Sequence, residues 1–177
     1  MSFTIAENRR MPNKVELGQP RASTMGAPMM QLSSWQREPP PSADRYVMGF
    51  RLPAWQRGLV WTKRQKISFI ESAWRGVPLG TYSFNRAPLG SPLDDLLIDG
   101  QQRMNAIECY LRDEFAVFGW RWSEVTEVDQ RVWEMAILFE SYVTATEDED
   151  YLRSYYDLLN FGGTPHRKSE RASNGPN

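Results

Sequence analysis

Apolar residues recur along this chain at two spacings, in short runs and at intervals of three and four positions. The intervals are typical of amphipathic helices, and the short runs are typical of buried strands. The helical spacing predicts helices over residues 63–75, 101–111, 129–136 and 147–159. Short apolar or β-branched runs predict strands over residues 46–50, 81–84, 96–98, 115–118 and 141–146. Because the two kinds of element alternate in short units, we predict an α+β fold, a compact domain with a small mixed sheet and flanking helices.

Local signals mark the ends of two of these helices. Thr62 is the predicted N-cap of the first helix, and Gly76 follows its last turn. The last helix begins with acidic residues 147–150, which the positive end of the helix dipole favours. We expect this helix to end at residues 160–165, where glycine and proline interrupt the pattern.

The two ends of the chain lack such periodicity. Residues 1–44 contain Gly18, Pro20 and a run of three prolines at 39–41, so they are predicted to form an irregular arm that drapes over a partner or stays irregular. Trp35 is a candidate anchor for part of this arm. The folded domain is predicted over residues 45–166, and the polar residues 167–177 are predicted to be a disordered tail.

Composition limits the domain count, and charge divides the chain. A chain of 177 residues with 41% hydrophobic residues is long enough for one well-cored domain. The net charge of −1 gives no overall case for nucleic-acid binding. Residues 45–118 carry ten basic and seven acidic side chains, whereas residues 119–150 carry two basic and nine acidic ones, a net charge of −7. Two solvated faces, or an acidic surface for a partner, would explain this division.

Scarce residue types exclude several classes of site. Cys109 is the only cysteine, which precludes an intramolecular disulfide and fits a reducing compartment. It lies within a helical pattern, so we expect a buried structural thiol. His166 is the only histidine, which argues against a histidine-rich metal cluster or a Ser-His-Asp triad. No apolar run is long enough to span a membrane and the first residues lack an apolar signal stretch, so we expect a cytoplasmic protein without a membrane partner.

The stretch from Ile98 to Arg103, IDGQQR, joins a predicted strand to a predicted helix. Gly100 permits close approach of the backbone, and the N–H groups of a helix start together with the Arg103 guanidinium favour an anion. Asp99 is the candidate ligand for Mg²⁺, an ion that binds few carboxylates together with phosphates. The alternative interpretation is structural, with Asp99 capping the helix and Arg103 in a salt bridge.

Two further motifs have a functional and a structural interpretation. Gln56 and Arg57 precede a glycine between two tryptophans, where the arginine could meet a phosphate while the indoles wall the pocket. Alternatively, the tryptophans belong to the core and Arg57 caps a neighbouring helix. The second motif is the loop over residues 160–165, NFGGTP, whose N–H groups face a ligand or merely end a helix.

Three segments occur in one order, LPAWQRGLVW, LIDGQQRMNAI and YYDLLNFGGTP. Together they resemble the DGQQR-motif domain at the N-terminus of GmrSD-type modification-dependent restriction proteins, in the wider ParB/sulfiredoxin-like superfamily. The resemblance covers residues 46–166. It implies a compact α+β fold, NTP binding and hydrolysis at the DGQQR motif, and defence against modified or foreign DNA.

The resemblance also implies a set of site residues. The residues implied in catalysis are Asp99, Gln101, Gln102 and Arg103. The residues implied in nucleotide binding are Gln56, Arg57, Gly100, Arg103, Asn160, Gly162, Gly163 and Thr164. In this hypothesis the arginines hold phosphates, Asp99 binds Mg²⁺, and one of the two motif glutamines orients water.

Two other functions stay open at this point. Full restriction proteins of this kind carry a separate His-Asn-His nuclease, which we expect a chain with one histidine to lack. The chain could therefore be a non-catalytic module that binds protein or DNA through residues 1–44 and the acidic segment 119–150. It could also be a ParB-like nuclease, for which Asp94, Asp95 and Asp99 are the candidate carboxylates. The expected partners are an NTP, and DNA or a separate nuclease subunit.

Overall fold

The computed structural model describes residues 18–39 and 45–161, which form an α+β fold as predicted. The helices in these ranges are α1 Gly26–Arg37, α2 Lys63–Trp74, α3 Gln101–Leu111, α4 Glu127–Ala136 and α5 Glu149–Phe161. The strands in these ranges are β1 Gln19–Arg21, β2 Arg45–Val47, β3 Phe50–Leu52, β4 Tyr82–Asn85, β5 Leu96–Asp99 and β6 Ser141–Thr144. Among these residues, no helix is long and apolar enough to cross a membrane.

The six strands form one mixed sheet in the order β1-β6-β4-β5-β3-β2. The pairs β4–β6 and β3–β5 are parallel, and the other three neighbouring pairs are antiparallel. Strand β5 is buried between β3 and β4 up to Asp99, its last and partly exposed residue. Helix α3 follows after a single residue, so the DGQQR motif lies at the carboxyl end of β5, in the interior of the strand order.

Alternating side chains of β5 join two hydrophobic clusters on opposite faces of the sheet. Leu97 belongs to the larger cluster, which includes residues of α1, α2, α3 and α4. Leu96 and Ile98 belong to a smaller cluster with Leu152 and Tyr155 of α5. Because successive side chains of a strand point to opposite faces, a single strand serves both layers.

Several predicted element ends are confirmed. Thr62 caps α2 through a reciprocal pair of bonds, in which its Oγ1 accepts from Gln65 N at 3.3 Å and Gln65 Oε1 accepts from Thr62 N at 2.8 Å. Helix α5 begins two residues after the predicted residue 147 and extends two residues beyond the predicted residue 159, through Asn160 and Phe161. Cys109 is buried as predicted.

Two strand predictions are wrong for local reasons. Residues 46–50 do not form one strand, because Met48 and Gly49 turn with φ of 50° and 78° between β2 and β3. Residues 115–118 do not form a strand either. Val117 and Trp120 form a single bridge around another turn with positive φ at Phe118. In both turns a large apolar residue adopts the left-handed conformation, which the apolar pattern does not reveal.

The prediction of an irregular arm is wrong for residues 18–37. Strand β1 pairs with β6 at the sheet edge, and α1 packs against α4 with Met25, just before α1, fully buried. Pro28 lies in the first turn of α1, a position that tolerates proline because its missing N–H would have no helical partner. The domain therefore includes residues before the predicted start at residue 45. Residues 1–17, 40–44 and 162–177, including the predicted tail, lie outside the described residues.

We expect substitution of Met25 to destabilise the domain. The Met25→Ala variant leaves a cavity in the core and should lower the free energy of unfolding by about 2–5 kcal/mol. The matched variant is Met30→Ala in α1, whose side chain is 74% exposed, and it should change stability by about 0.5 kcal/mol or less. Urea denaturation measures both. Equal stability of the two variants would show that residues 18–37 are not part of the core.

Candidate functional site

A pocket of about 190 Å³ opens at the carboxyl end of β5. Its lining residues are Gln56, Arg57, Trp61, Asp99, Gly100, Gln101, Gln102, Arg103, Tyr156 and Asn160. The structure thus brings together the first two motifs, as predicted, with Asn160 of the third. Trp61, one of the two tryptophans considered as pocket walls, lines the pocket, whereas Trp55 packs against Tyr156 and is not among the lining residues. Tyr156 is an additional lining residue. Gly162, Gly163 and Thr164 lie outside the described residues.

Gly100 makes the turn from β5 into α3 and requires glycine for two reasons. Its φ is 97°, in the left-handed region, where a side chain is strained. A Cβ atom at this position would also lie 2.7 Å from the Cβ of Tyr82 in β4. Gly100 O accepts the first helical bond, from Met104 N at 2.9 Å. No side chain within the described ranges caps α3, so the N–H groups of residues 101–103 lack helical partners at the pocket.

The Gln102 side chain links α3 to the segment that follows Arg57. Its Oε1 accepts from Val60 N at 2.9 Å and from Trp61 N at 3.1 Å. Its Nε2 donates to Gly58 O at 3.0 Å. These bonds hold residues 58–61 against the start of α3, so Gln102 positions the pocket wall.

The other two glutamines of the pocket lining each have a buried acceptor without a partner among the described residues. Gln56 and Gln101 are both at least 95% buried, and the Oε1 atom of each has no hydrogen-bond partner among the described residues. Gln56 is fixed by its Nε2, which donates to Ile98 O at 3.0 Å. A buried acceptor without a partner costs about 1–3 kcal/mol. A water molecule or ligand donor in the pocket would remove this cost.

Asp99, the last residue of β5, and Arg103 in the first turn of α3 form an ion pair across the β5–α3 turn. Arg103 Nη2 lies 2.7 Å from Asp99 Oδ2, and Nη1 donates to Leu79 O at 3.4 Å. The structural interpretation is therefore correct for the salt bridge but wrong for the cap, because Gly100 and not Asp99 occupies the N-cap position. Both side chains remain partly exposed and line the pocket.

Three charged residues line the pocket, and Arg57 is the one that does not take part in the Asp99–Arg103 ion pair. Its side chain is half-buried, and its guanidinium has no ion-pair partner within residues 18–39 and 45–161. Tyr156 of α5 lines the pocket together with Arg57. Burial raises the pKa of Tyr156, which keeps its hydroxyl neutral. In the same helix, Asn160 Nδ2 donates to Tyr156 O at 2.9 Å and so directs Asn160 along the pocket rim.

The comparison with known families decides the assignment of the chain. Residues 42–174 match the model of the GmrSD restriction endonuclease, N-terminal domain. The chain belongs to this family. The match includes the DGQQR motif and the GGTP loop, so the resemblance based on those motifs is confirmed. Searches of curated proteins and of solved structures found no match.

The carboxylates considered for a nuclease do not meet in this GmrSD N-terminal domain. Asp94 and Asp95 precede β5 and Asp99 ends it, a separation of about 13 Å along a strand. Asp95 is engaged by Arg86 Nη1 at 2.6 Å and by Gln31 Nε2 at 2.8 Å, in a larger cleft of about 920 Å³ at the opposite end of β5. In the described part of the chain, no three metal-ligating side chains group together.

We expect the GmrSD N-terminal domain to tolerate alanine at Gly90 better than at Gly100. Both glycines have positive φ, so each substitution should cost about 1–2 kcal/mol in backbone strain. No atom lies within 4 Å of a Cβ atom at Gly90, whereas at Gly100 the contact with Tyr82 adds about 1–3 kcal/mol. Thermal unfolding of the two variants measures the difference. Equal losses of stability would contradict the close approach between β4 and the DGQQR turn.

Proposed function

We propose that this domain binds a nucleoside triphosphate at the β5–α3 turn and hydrolyses it with Mg²⁺ as part of DNA restriction. The role in DNA restriction comes with the family. The use of a nucleotide is our proposal. The observation that carries it is the half-buried side chain of Arg57, which has no ion-pair partner within residues 18–39 and 45–161, beside the N-terminus of α3, which no side chain in these ranges caps.

The charge of the pocket favours an anion. Asp99 balances Arg103, which leaves the positive charge of Arg57. The N-terminus of α3 adds the equivalent of about half a positive charge and donors from the backbone. Phosphate oxygens accept hydrogen bonds from both kinds of group and are favoured by both charges.

The volume of the pocket suits the phosphates and not a whole nucleotide. Pockets that enclose drug-sized ligands measure about 300–1,000 Å³, whereas this pocket has about 190 Å³. We therefore assign the phosphate chain to the enclosed part. Trp61 and Tyr156 are the aromatic lining residues against which a base or sugar would pack.

The hydrogen bonds of the Gln101 and Gln102 side chains favour different roles for these two residues of the motif. Gln101 Oε1 is buried and has no partner among the described residues, so in this proposal it accepts a hydrogen bond from a water molecule and orients that water toward a phosphate. The Gln102 side chain already binds three backbone groups, so we assign it a positioning role.

A magnesium ion fits the donor set only together with phosphates. Asp99 is the carboxylate of the pocket lining, and one of its oxygens already binds Arg103. Mg²⁺ commonly binds one or two carboxylates plus phosphate oxygens and water, so the Asp99 oxygen that is not bound by Arg103 matches such an ion. When bound, the ion would neutralise phosphate charge. The protein would supply Arg57 and the α3 N–H groups on the remaining oxygens.

Isothermal titration calorimetry with ATP, CTP, GTP and UTP in the presence of Mg²⁺ tests the binding. We expect at least one triphosphate to bind the wild type and Arg57→Gln to weaken that binding about 10–100-fold, because a hydrogen bond to a charged group contributes about 1.5–3 kcal/mol. Arg75→Gln, at an exposed arginine after α2, is the matched control and should bind like the wild type. Absence of binding by all four nucleotides, or equal affinity of Arg57→Gln, would refute the proposal.

Phosphate release by the same proteins tests hydrolysis separately. We expect Gln101→Leu to retain nucleotide affinity within a few-fold and to lose most of the turnover, since only the position of water changes. Turnover by Gln101→Leu at the wild-type rate would refute the role of Gln101. Binding without any phosphate release by the wild type would refute hydrolysis and leave a nucleotide-sensing domain.

A further inference from the structure

Helix α4 is apolar on two opposite sides. One side carries Trp133, which is fully buried against the rings of Trp74 and Tyr110. The other side carries Val128 and Val132, at an interval of four positions, followed by Met135, so the three residues share one face of the helix. Their exposed fractions are 71%, 46% and 76%. A surface helix normally has one apolar face, whereas the second apolar face of α4 is exposed and has no partner among the residues that the structure describes.

A groove of about 560 Å³ continues this face between α4 and the start of α1. Small residues such as Ala22, Gly26 and Ala27 line it, and the exposed side chains of Met30 and Met135 contribute to its lining. Methionine side chains are flexible and polarizable, and they are common on surfaces that receive apolar side chains of a partner. Small residues permit close approach, so the groove has the features of a helix-binding site.

Exposed leucine extends the same surface beyond the helix. Leu138 is 64% exposed, and its backbone bridges to Thr24, which lines the groove. With Met30 and the three residues of α4, it makes five large apolar side chains that are exposed on or next to α1 and α4. Single exposed apolar residues are ordinary, whereas a contiguous group marks an interaction site.

Charge indicates what covers this surface. Helix α4 carries Glu127, Asp129 and Glu134 against one basic residue, Arg131, and Glu134 lines the groove. A second copy of the chain would bring acidic residues against acidic residues across a symmetric interface, which opposes association. A basic occupant is therefore favoured.

We propose that the α1–α4 groove binds a basic amphipathic helix of a partner protein. The apolar face of that helix inserts between Met30 and Met135, and its lysines or arginines face the acidic residues of α4. This surface does not include any residue that lines the pocket at the β5–α3 turn. Binding at the groove therefore does not depend on the proposed nucleotide function.

Two designed peptides with the same apolar face test the proposal. Both carry leucines at positions i, i+4 and i+7; one has lysine at the flanking positions and the other has glutamate. Fluorescence anisotropy should show binding of the basic peptide at least tenfold tighter than that of the acidic peptide, with an affinity that falls as salt increases. Methyl NMR should show shifts of Met30 and Met135, with the buried Met104 unchanged as an internal reference.

A double variant on the exposed face of α4 tests the location of the binding site, with a variant outside the groove as its control. We expect Val132→Ser with Met135→Ser to weaken the basic peptide at least tenfold while thermal stability stays close to that of the wild type, because both side chains are exposed. Val77→Ser, at an exposed valine outside the groove, should bind like the wild type. Equal binding of the two peptides, or undiminished binding by the double variant, would overturn the proposal. Dimerisation of the wild type that the double variant abolishes would also overturn it, since a second copy would then occupy the groove.

Discussion

The close approach of Gly100 to Tyr82 is the constraint on which the candidate site depends. A left-handed residue without a side chain lets β5 turn into α3 within one position, directly against β4. This turn fixes the start of α3 at the carboxyl end of β5. The uncapped N–H groups therefore lie beside the segment that carries Arg57. A longer or more open connection would separate these donors from the arginine.

The remaining pocket wall is held by contacts that converge on this turn from both layers of the fold. Gln102 binds the backbone of residues 58–61 on one side, and Gln56 reaches Ile98 at the end of β5. From the opposite layer, Tyr156 of α5 packs in one cluster with Ile98 and lines the pocket. Because these groups fix the backbone, the Arg57 guanidinium is positioned without an ion-pair partner among the described residues. A charge kept half-buried in this way lowers the cost of binding an anion.

The local structure of the candidate site was more predictable from the sequence than that of the segments around it. The strand–glycine–helix order of the DGQQR motif and the capping of α2 by Thr62 follow from local residue preferences. The role of Gln102 does not, because its partners lie more than 40 positions earlier in the chain. Similarly, the apolar residues on both sides of α4 reveal a helix but not which side is covered, since that depends on the packing of Trp133. Helix α1 was missed because glycine and proline at its start mask a weak apolar period.

Backbone amide NMR with increasing Mg²⁺–triphosphate tests the central claim most directly, since the α3 N–H groups are the proposed phosphate donors. The account predicts that the amides of Gln101, Gln102 and Arg103 and the side-chain Nε of Arg57 show the largest shifts, saturating together. Saturating shifts confined to the larger cleft around Asp95, with residues 101–103 unchanged, would contradict it.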